Sequence, residues 1–345
     1  MKKPKLATVA AQAGVSVATA SQALRGTGRI SEQTRKRVLS AADDLNYVPD
    51  ARAVAMRSGV NREIGLVIHE ISNPLNAEVM SGVCDLLESE GFLVSVLDSR
   101  DSAERQHRHL EAFIRSSRSG LIWVPAADTT ADEVDLLANH RMPTVTFLRR
   151  LPSSPFDHVG IEDAAAISVA VNHLADLGHQ RIAYLGGIAT FGVRVDRLAG
   201  YHRTLSERSL FGPIVWDCED NKRSGLDAMI ALKNAHPDVT AIVCNGDMVA
   251  IGATQGLLRM GLRPGADLSI IGFDDIQDAA VTTPPLTTMT IRPYQLGRRL
   301  ARTLLDRIAD PHMLRAVTMV PAELVRRDTT APPASPTRRL AVAAR

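Results

Sequence analysis

Apolar residues in the N-terminal segment recur at the spacing of short amphipathic helices. A first helical face ends at Gly14, a residue type that commonly closes a helix in the left-handed conformation. Ser16 is a favourable N-cap for a second helix over residues 17–24, on which Ala20 and Ala23 mark the inner face. Because small side chains let two helices approach closely at a steep angle, the pattern predicts either a helix-turn-helix or a plain helical hairpin.

A third helix is predicted to follow these two. Ser31 can cap it, and Glu32 lies in its first turn. Val38, Ala42 and Leu45 then recur at the i, i+4, i+7 spacing of one helical face. Three short helices in this order favour the helix-turn-helix, whose second helix can enter the major groove of DNA.

From residue 62 onward, short apolar runs alternate with helical stretches. Continuous apolar strands separated by helices are typical of parallel sheets that are covered on both faces. The series restarts near residue 181, so the pattern predicts two doubly wound lobes, with a ligand between them at the carboxyl ends of the strands. The predicted strands are residues 64–68, 92–97, 120–124 and 144–148, then 181–185, 213–216, 240–244 and 269–272, with helices at 76–90, 102–116 and 131–140 in the first series.

Charge is distributed unevenly along the chain. Residues 1–62 carry eleven Lys and Arg against four Asp and Glu, a formal charge of +7. The whole chain has a net charge of +2, which leaves −5 for the remainder. This asymmetry predicts a DNA-binding head on an acidic body, and a solvated basic face is the plainer alternative.

The composition argues against several other classes of protein. At 345 residues the chain suits two or three domains, and no apolar run approaches the roughly 18 residues of a transmembrane helix. Cys84, Cys218 and Cys244 are far apart and odd in number, which favours buried, reduced thiols in a cytoplasmic protein. Dinucleotide-binding, P-loop and serine-hydrolase motifs do not occur in the sequence, so we expect neither an enzyme nor a bound cofactor or metal.

An export signal is the alternative interpretation of the N-terminus. Residues 2–5 are basic, and Ala18-Thr19-Ala20 looks like a cleavage site. Gln12 and Gly14 interrupt the segment between them, however, and that segment lacks a strongly apolar run. An exported solute-binding protein therefore stands as the main alternative to a DNA-binding regulator.

Eight short motifs stand in a fixed order along residues 6–330. They are 13–16 (AGVS), 31–35 (SEQTR), 45–49 (LNYVP), 64–68 (IGLVI), 177–187 (LGHQRIAYLGG), 197–201 (RLAGY), 272–275 (GFDD) and 285–288 (PLTT). In this order and spacing, the chain resembles the LacI/GalR family of bacterial transcription regulators. Residues 26–31 (GTGRIS) also resemble the head of the maltose-system regulators within that family.

The resemblance implies a fold with two parts. The first is an all-α helix-turn-helix head with a hinge that becomes helical on DNA. The second is an α/β two-lobed body that resembles a periplasmic sugar-binding protein, with doubly wound parallel sheets and three chain crossings between its lobes. The expected limits are 1–60 for the head, with the hinge helix at 50–58; 61–330 for the body, with the first lobe at about 62–158 and 291–318 and the second at about 159–290 and 319–330; and 331–345 for a disordered tail.

The resemblance also implies which residues contact DNA. Many family members carry Arg at the position of Gln22, and Gln favours adenine where Arg favours guanine, so a different operator code is expected. Met56 takes the place of a hinge leucine that wedges into the minor groove, or else it packs on a partner hinge. The expected base-reading residues are Val17, Ala18, Thr19, Ser21 and Gln22; the phosphate partners are Ser16, Ser31, Thr34 and Tyr47; and the hinge contacts are Ala53 and Met56.

For the effector, Arg197 and Asp274 match the family's cleft residues, and a structural ion pair across the lobes is the alternative role for both. Gly246 stands where Asn is common in the family, and Arg149 adds cleft charge that would suit an acidic sugar or a phosphorylated metabolite. The expected effector contacts are Leu75, Asn76, Phe147, Arg149, Arg197, Gly246, Asp247 and Asp274.

The resemblance thus predicts a repressor that acts as a homodimer on a palindromic operator in the cytoplasm, associated with the nucleoid. Its operator affinity would be controlled by a small molecule, a carbohydrate or a derivative of one. The sequence leaves open whether the regulator represses or activates, and whether the effector releases or promotes DNA binding.

Overall fold

The computed structural model describes residues 3–49, 61–151, 153–188 and 192–334. Contacts divide the chain into two units, Met1–Asn61 and Arg62–Arg345. The described residues of the first unit form three helices: α1 (Leu6–Gln12), α2 (Val17–Leu24) and α3 (Glu32–Asp44). These are the three helices that the sequence predicts. The predicted hinge helix at 50–58 lies outside the described residues.

Small side chains form the core of the head. Gly14 has a φ of +64°, which lets the chain turn sharply between α1 and α2. Because Ala occupies most of the inner positions, the three helix axes can approach one another closely. The buried apolar residues are Val9, Ala10, Ala13, Ala20, Ala23, Val38, Ala41 and Ala42.

The first lobe of the body is built on a six-stranded parallel sheet. Its strands are β1 (Glu63–Ile68), β2 (Leu93–Asp98), β3 (Gly120–Trp123), β4 (Thr144–Phe147), β5 (Asp157–Ile161) and β11 (Val317–Val320), in the order β11-β5-β4-β3-β1-β2. Helices cover both faces because the strands are apolar on both sides. These helices are α4 (Pro74–Ser89), α5 (Ala103–Arg115), α6 (Ala131–Asn139) and α12 (Pro293–Ala309).

The second lobe repeats this plan with one difference. Its strands are β6 (Ile182–Leu185), β7 (Ile214–Trp216), β8 (Ala241–Cys244), β9 (Ser269–Asp274), β10 (Thr287–Thr290) and β12 (Glu323–Val325), in the order β12-β10-β9-β8-β6-β7. The other five strands are parallel, as the sequence predicts, and only the edge strand β12 runs antiparallel to its neighbour β10. The helices are α7 (Asp163–Asp176), α8 (Gly192–Glu207), α9 (Lys222–Ala235), α10 (Asp247–Arg259) and α11 (Gln277–Val281).

The chain passes between the lobes three times, near residues 162, 291 and 321. The first and third passages come about three residues later than the expected limits at 158 and 318. Strand β11 pairs with β5 in parallel from His158 opposite Val317 to Ile161 opposite Val320, and this pairing keeps both strands in the first sheet up to residues 161 and 320. Those two lobe limits are therefore corrected to the ends of the paired strands.

The predicted tail begins later than residue 331. The carbonyl oxygen of Ala331 accepts hydrogen bonds from His179 Nε2 at 2.9 Å and from Ser269 Oγ at 3.0 Å. These contacts join Ala331 to the second lobe, so the limit set at 331 is wrong by a few residues. The rest of the predicted tail, from residue 335, lies outside the described residues.

Candidate functional site

One face of α2 is exposed on the surface of the head. Val17 is 48% exposed, and Ala18 and Gln22 are exposed beside it. Thr19 and Ser21 are half-buried at the edges of this face. The residues at 17, 18, 21 and 22 share one side of the helix because they are spaced by one turn. A short polar and apolar face of this kind can approach the edges of bases closely.

The expected phosphate contacts already have partners within the head. Ser16 Oγ accepts a hydrogen bond from the backbone N–H of Thr19 at 3.1 Å, and Ser31 Oγ accepts one from that of Thr34 at 3.2 Å. Both serines therefore cap helices, which is a structural role that phosphate binding would have to share. Tyr47 is half-buried against the core of the head. Ala53 and Met56 lie outside the described residues.

Arg35 is a candidate DNA contact that the sequence interpretation did not name. Its Nε is buried and has no hydrogen-bond partner in the part of the chain that the structure describes. It lies in the first turn of α3, beside Lys36 and Arg37. Arg35 is the last residue of the 31–35 motif, so the sequence already contains it. The sequence cannot show, however, that one nitrogen of its guanidinium lacks a hydrogen-bond partner.

A cleft of about 640 Å³ opens in the body, where the strands of both sheets end. Five of the eight expected effector residues line it: Leu75, Arg149, Arg197, Gly246 and Asp274. The sheets bring these residues together because the carboxyl ends of parallel strands share one edge. The other lining residues are His69, Glu70, Ile71, Ser72, Asn73, Asp98, Arg100, Asp101, Leu148, Ile188, Val193, Arg194, Glu219, Asp220, Asn221, Asn245 and Met248.

The other three expected effector residues do not line the cleft. Asn76 is buried, and its Nδ2 donates to the carbonyl oxygen of Glu70 at 2.6 Å. Phe147 is buried in the core of the first lobe. Asp247 is buried at the start of α10, where it accepts hydrogen bonds from Thr288 Oγ1 at 2.6 Å and from the N–H of Ile276 at 3.0 Å. All three were expected from the family resemblance, and each side chain is buried within the protein.

Arg197 lines the cleft and is also a structural residue. Its Nε donates to Asp163 Oδ1 at 2.7 Å, one of its terminal nitrogens donates to the carbonyl oxygen of Asn245, and its guanidinium lies 3.7 Å from the centre of the Phe273 ring. The neighbouring acids raise the pKa of Arg197 against the effect of burial. The ion pair that we considered across the lobes therefore lies within the second lobe.

The remaining cleft cations are also paired. Arg149 forms an ion pair with Asp101, and Arg194 forms one with Asp217. Arg150 is exposed and does not line the cleft. Arg149 was expected to attract an anionic effector. Because it already has a carboxylate partner, its charge no longer supports that expectation.

Asp274 is the most buried of the carboxylates that line the cleft. It is 8% exposed, and no hydrogen bond to its side chain exists among the described residues. Burial raises the pKa of Asp274 well above its ordinary value, and Arg197 opposes that shift. A carboxylate of this kind is suited to accept hydrogen bonds from a ligand.

Polar residues that directly follow strands were missed by the sequence interpretation. His69 and Glu70 follow β1, and Asn245 follows β8. Asn245 is oriented on both sides: its Oδ1 accepts from Tyr184 Oη at 2.7 Å, and its Nδ2 donates to Asp220 at 2.7 Å. Listing the first polar residue after each predicted strand would have found His69 and Asn245 but neither Glu70 nor Asp220.

His69 contributes an uncharged imidazole to the cleft. Burial lowers the pKa of His69 to about 4, and the charge of Arg149 adds to that shift. Its Nδ1 is buried and has no hydrogen-bond partner within the described ranges. The ring can therefore accept or donate one hydrogen bond to a bound molecule without carrying charge.

Comparisons with known proteins agree with both parts of the fold. Residues 5–50 match the family model described as bacterial regulatory proteins, lacI family, and residues 171–330 match that of a periplasmic binding protein-like domain. None of the helices that the structure describes is long and apolar enough to cross a membrane.

Full-length relatives include two regulators. The maltose regulon regulatory protein MalI of Escherichia coli is 29% identical over 335 residues, covering 94% of this chain and 98% of that protein. The HTH-type transcriptional repressor PurR of Photobacterium profundum is 31% identical over 325 residues, covering 92% and 96%. Among solved structures, the lac repressor dimer bound to operator and the anti-inducer ONPF has a TM-score of 0.84 and 27% identity, covering 96% of this chain and 100% of that one.

Proposed function

The chain belongs to the LacI family of bacterial regulatory proteins and is an effector-controlled DNA-binding transcriptional regulator rather than an enzyme, and we propose that α2 reads its operator and that the cleft of the body holds its effector. The observation that carries the DNA-reading role is the exposed face of α2 in a segment with a charge of +7. The positive charge attracts phosphates without regard to sequence, and the exposed face supplies the sequence preference.

Gln22 is the proposed principal base-reading residue. It is exposed near the end of α2, and its flexible amide can donate to N7-side acceptors and accept from an amino group, as adenine requires. Val17 and Ala18 offer apolar contact to a thymine methyl group. We therefore infer that the base pair contacted by Gln22 in each operator half-site is A·T. An arginine at the same position would select G·C instead.

The N-terminal 20 residues favour the regulator over an exported binding protein. Val9 and Ala10 of α1 are buried against Val38 and Ala41 of α3. Cleavage after residue 20 would remove α1 and half of α2, and it would expose the remaining apolar surface of α3. The segment therefore serves as part of a folded head.

We propose that two copies act together on a palindromic operator. The relative with a TM-score of 0.84 is described as a dimer bound to operator. In this proposal the head spans 1–60, the hinge at 50–58 joins it to the body, and the effector changes operator affinity through the relative position of the two lobes. A coupling of about 1–3 kcal/mol, or roughly 5–150-fold, is the expected scale. The protein would work in the cytoplasm, on the nucleoid.

The test is selection of genomic fragments by the purified full-length protein. We expect one palindromic motif to be enriched, and the Gln22→Arg variant to shift one position of each half-site from A·T to G·C. Gln33→Arg is the matched control, because it adds the same charge on the exposed side of α3 and should leave the motif unchanged. Enrichment without a shared motif would refute the proposed role of α2.

A further inference from the structure

We propose that the effector carries a protonated amine, which Asp274 receives together with Asp220 in the second-lobe wall of the cleft. This inference rests on the proposed function of the cleft as the effector site. It names the chemical class of the ligand: a saturated, hydroxylated molecule such as an amino sugar, with one ammonium group and no anionic group.

The charges of the cleft favour a cation. Among the lining residues there are six carboxylates and four arginines. All four arginines already form ion pairs with carboxylates: Arg100 with Asp98, Arg149 with Asp101, Arg194 with Asp217 and Arg197 with Asp163. Two of these partners, Asp217 and Asp163, do not line the cleft themselves and add further negative charge near it. The lining carboxylates that form no ion pair within the described residues are Glu70, Glu219, Asp220 and Asp274.

Asp274 is the strongest single observation for a ligand. The residue is 8% exposed and lines the cleft, and its side chain forms no hydrogen bond among the described residues. The nearest cation is Arg197, whose guanidinium is held by Asp163 and by the carbonyl oxygen of Asn245. A buried carboxylate without a donor is costly, and an incoming ammonium group would satisfy both its charge and its lone pairs.

Gly246 leaves space for that donor. Its φ is −156°, an extended conformation that any residue can adopt, so the backbone does not require glycine here. A Cβ built on it would meet Asp274 Oδ2 at 3.4 Å and nothing closer. A longer polar side chain at this position could reach Asp274 from within the protein. With glycine, position 246 supplies no side-chain donor to Asp274, and a ligand in the cleft can take that place.

Asp220 supplies a second acceptor beside the first. Both of its oxygens accept from Asn245 Nδ2, at 2.9 and 2.7 Å, and Tyr184 fixes the orientation of that amide. Each carboxylate oxygen can accept a further hydrogen bond. Asp220 and Asp274 both line the cleft, and Asn245, which holds Asp220, directly precedes Gly246, where an added Cβ would meet Asp274.

The rest of the lining favours a saturated ligand. The apolar residues among the described lining are aliphatic, and no Phe, Tyr or Trp belongs to that described set. The C–H faces of a saturated ring can pack on branched side chains of this kind. The aliphatic lining residues are Ile71, Leu75, Leu148, Ile188, Val193 and Met248.

The test is calorimetric titration of the full-length protein near neutral pH with matched sugars. Glucosamine, galactosamine and mannosamine are each compared with the parent hexose and the corresponding uronic acid. We expect at least one amino sugar to bind about 10–100-fold more tightly than its parent, which is the range of a hydrogen bond to a charged group, and we expect no measurable binding of the uronic acids.

Variants locate the site of this preference. Asp274→Asn should reduce the ratio of amino-sugar to parent affinity to about 1, whereas Asp227→Asn, which removes an exposed carboxylate of α9, should leave the ratio unchanged. Gly246→Asn places an amide against Asp274 and should lower the ratio as well. It provides the same test if Asp274→Asn fails to fold.

The outcomes separate this inference from the proposed function. Tighter binding of a parent hexose or of a uronic acid would overturn the amine and leave the cleft as the effector site. If Asp274→Asn and Gly246→Asn both still bound the amino sugar more tightly than its parent, the assignment of the amine to Asp274 would be wrong. Absence of binding by every member of the panel would count against the amino sugar and against the cleft as a carbohydrate-binding effector site.

Discussion

The head and the body handle charge in opposite ways. Every charged residue of the described part of the head is exposed or half-exposed, and its core is made of Val and Ala alone. The body buries Asp157, Asp163, Arg197, Asp247 and Asp274. Surface charge can attract a polyanion from a distance and is screened by salt, whereas buried charge acts over a few ångströms and is fixed by its partners. The two regions are therefore suited to two kinds of ligand.

The largest expected difference between the two regions is the salt dependence of the affinity of each for its ligand. Operator affinity should fall by roughly 10³-fold or more between about 50 and 200 mM salt, if some 6–10 phosphates are engaged. Effector affinity should change by less than about tenfold over the same range, because the cleft is partly enclosed. Fluorescence anisotropy with labelled operator and calorimetry with effector measure the two. An almost flat response of operator binding would show that the charge of the head does not drive association.

Removal of a buried charge should lower the folding stability of the body and leave that of the head unchanged. Arg197→Ala leaves Asp163 buried without its ion-pair partner, so the free energy of unfolding of the body should fall by about 3–5 kcal/mol. Arg203→Ala, on the exposed side of α8, should change it by less than about 1 kcal/mol. Denaturant titration of the full chain provides the measurement. An Arg197→Ala body as stable as the parent would show that the guanidinium serves only the effector.

The folding stability of the body should decrease at acidic pH because of His158. Burial is the main cause that lowers the pKa of His158 from 6.5 to about 4, so the folded state binds fewer protons than the unfolded state between these values. Stability should therefore fall as the pH drops from about 6.5 to about 4, by about 3 kcal/mol for this side chain. The described part of the head contains no histidine and lacks this contribution.

Comparison with a variant isolates this effect, because buried acids act in the opposite direction. Burial raises the pKa of Asp247 to about 7, and that contribution to stability is lost as the pH rises from about 4 to about 7. As the pH falls below 6.5, the melting temperature of His158→Asn should fall less, or rise more, than that of the parent, whereas His312→Asn, at an exposed position, should follow the parent. Identical slopes in parent and His158→Asn would exclude the proposed role of His158.

Loss of a helix cap should affect the head by a smaller amount. Ser16→Ala removes the hydrogen bond to the N–H of Thr19 and should lower the stability of the head by about 1 kcal/mol. Ser40→Ala, in the exposed middle of α3, is the control and should have almost no effect. If Ser16→Ala weakened operator binding without any change in head stability, phosphate contact would be its main role.

Much of the fold and part of the cleft could be predicted from the chain alone. The three head helices and the predicted strands of both lobes lie close to their expected positions, because each depends on local periodicity. Strands β5, β10, β11 and β12 were not predicted. They contain Asp, His, Thr or Glu, and their pairing partners lie far away in sequence. Asn76 and Asp247 were misplaced because a resemblance matches positions along the chain and does not show which way each side chain points.

The sequence by itself determined the class of protein and its division into a basic head and an acidic body, because periodicity, motif order and net charge are properties of the chain. Only the tertiary structure decided which charges are already paired. Arg149 and Asp101 are 48 residues apart, and Arg197 and Asp163 are 34 apart. Sheet topology brings each pair together, and this long-range pairing leaves Asp274 as the buried carboxylate open to a ligand.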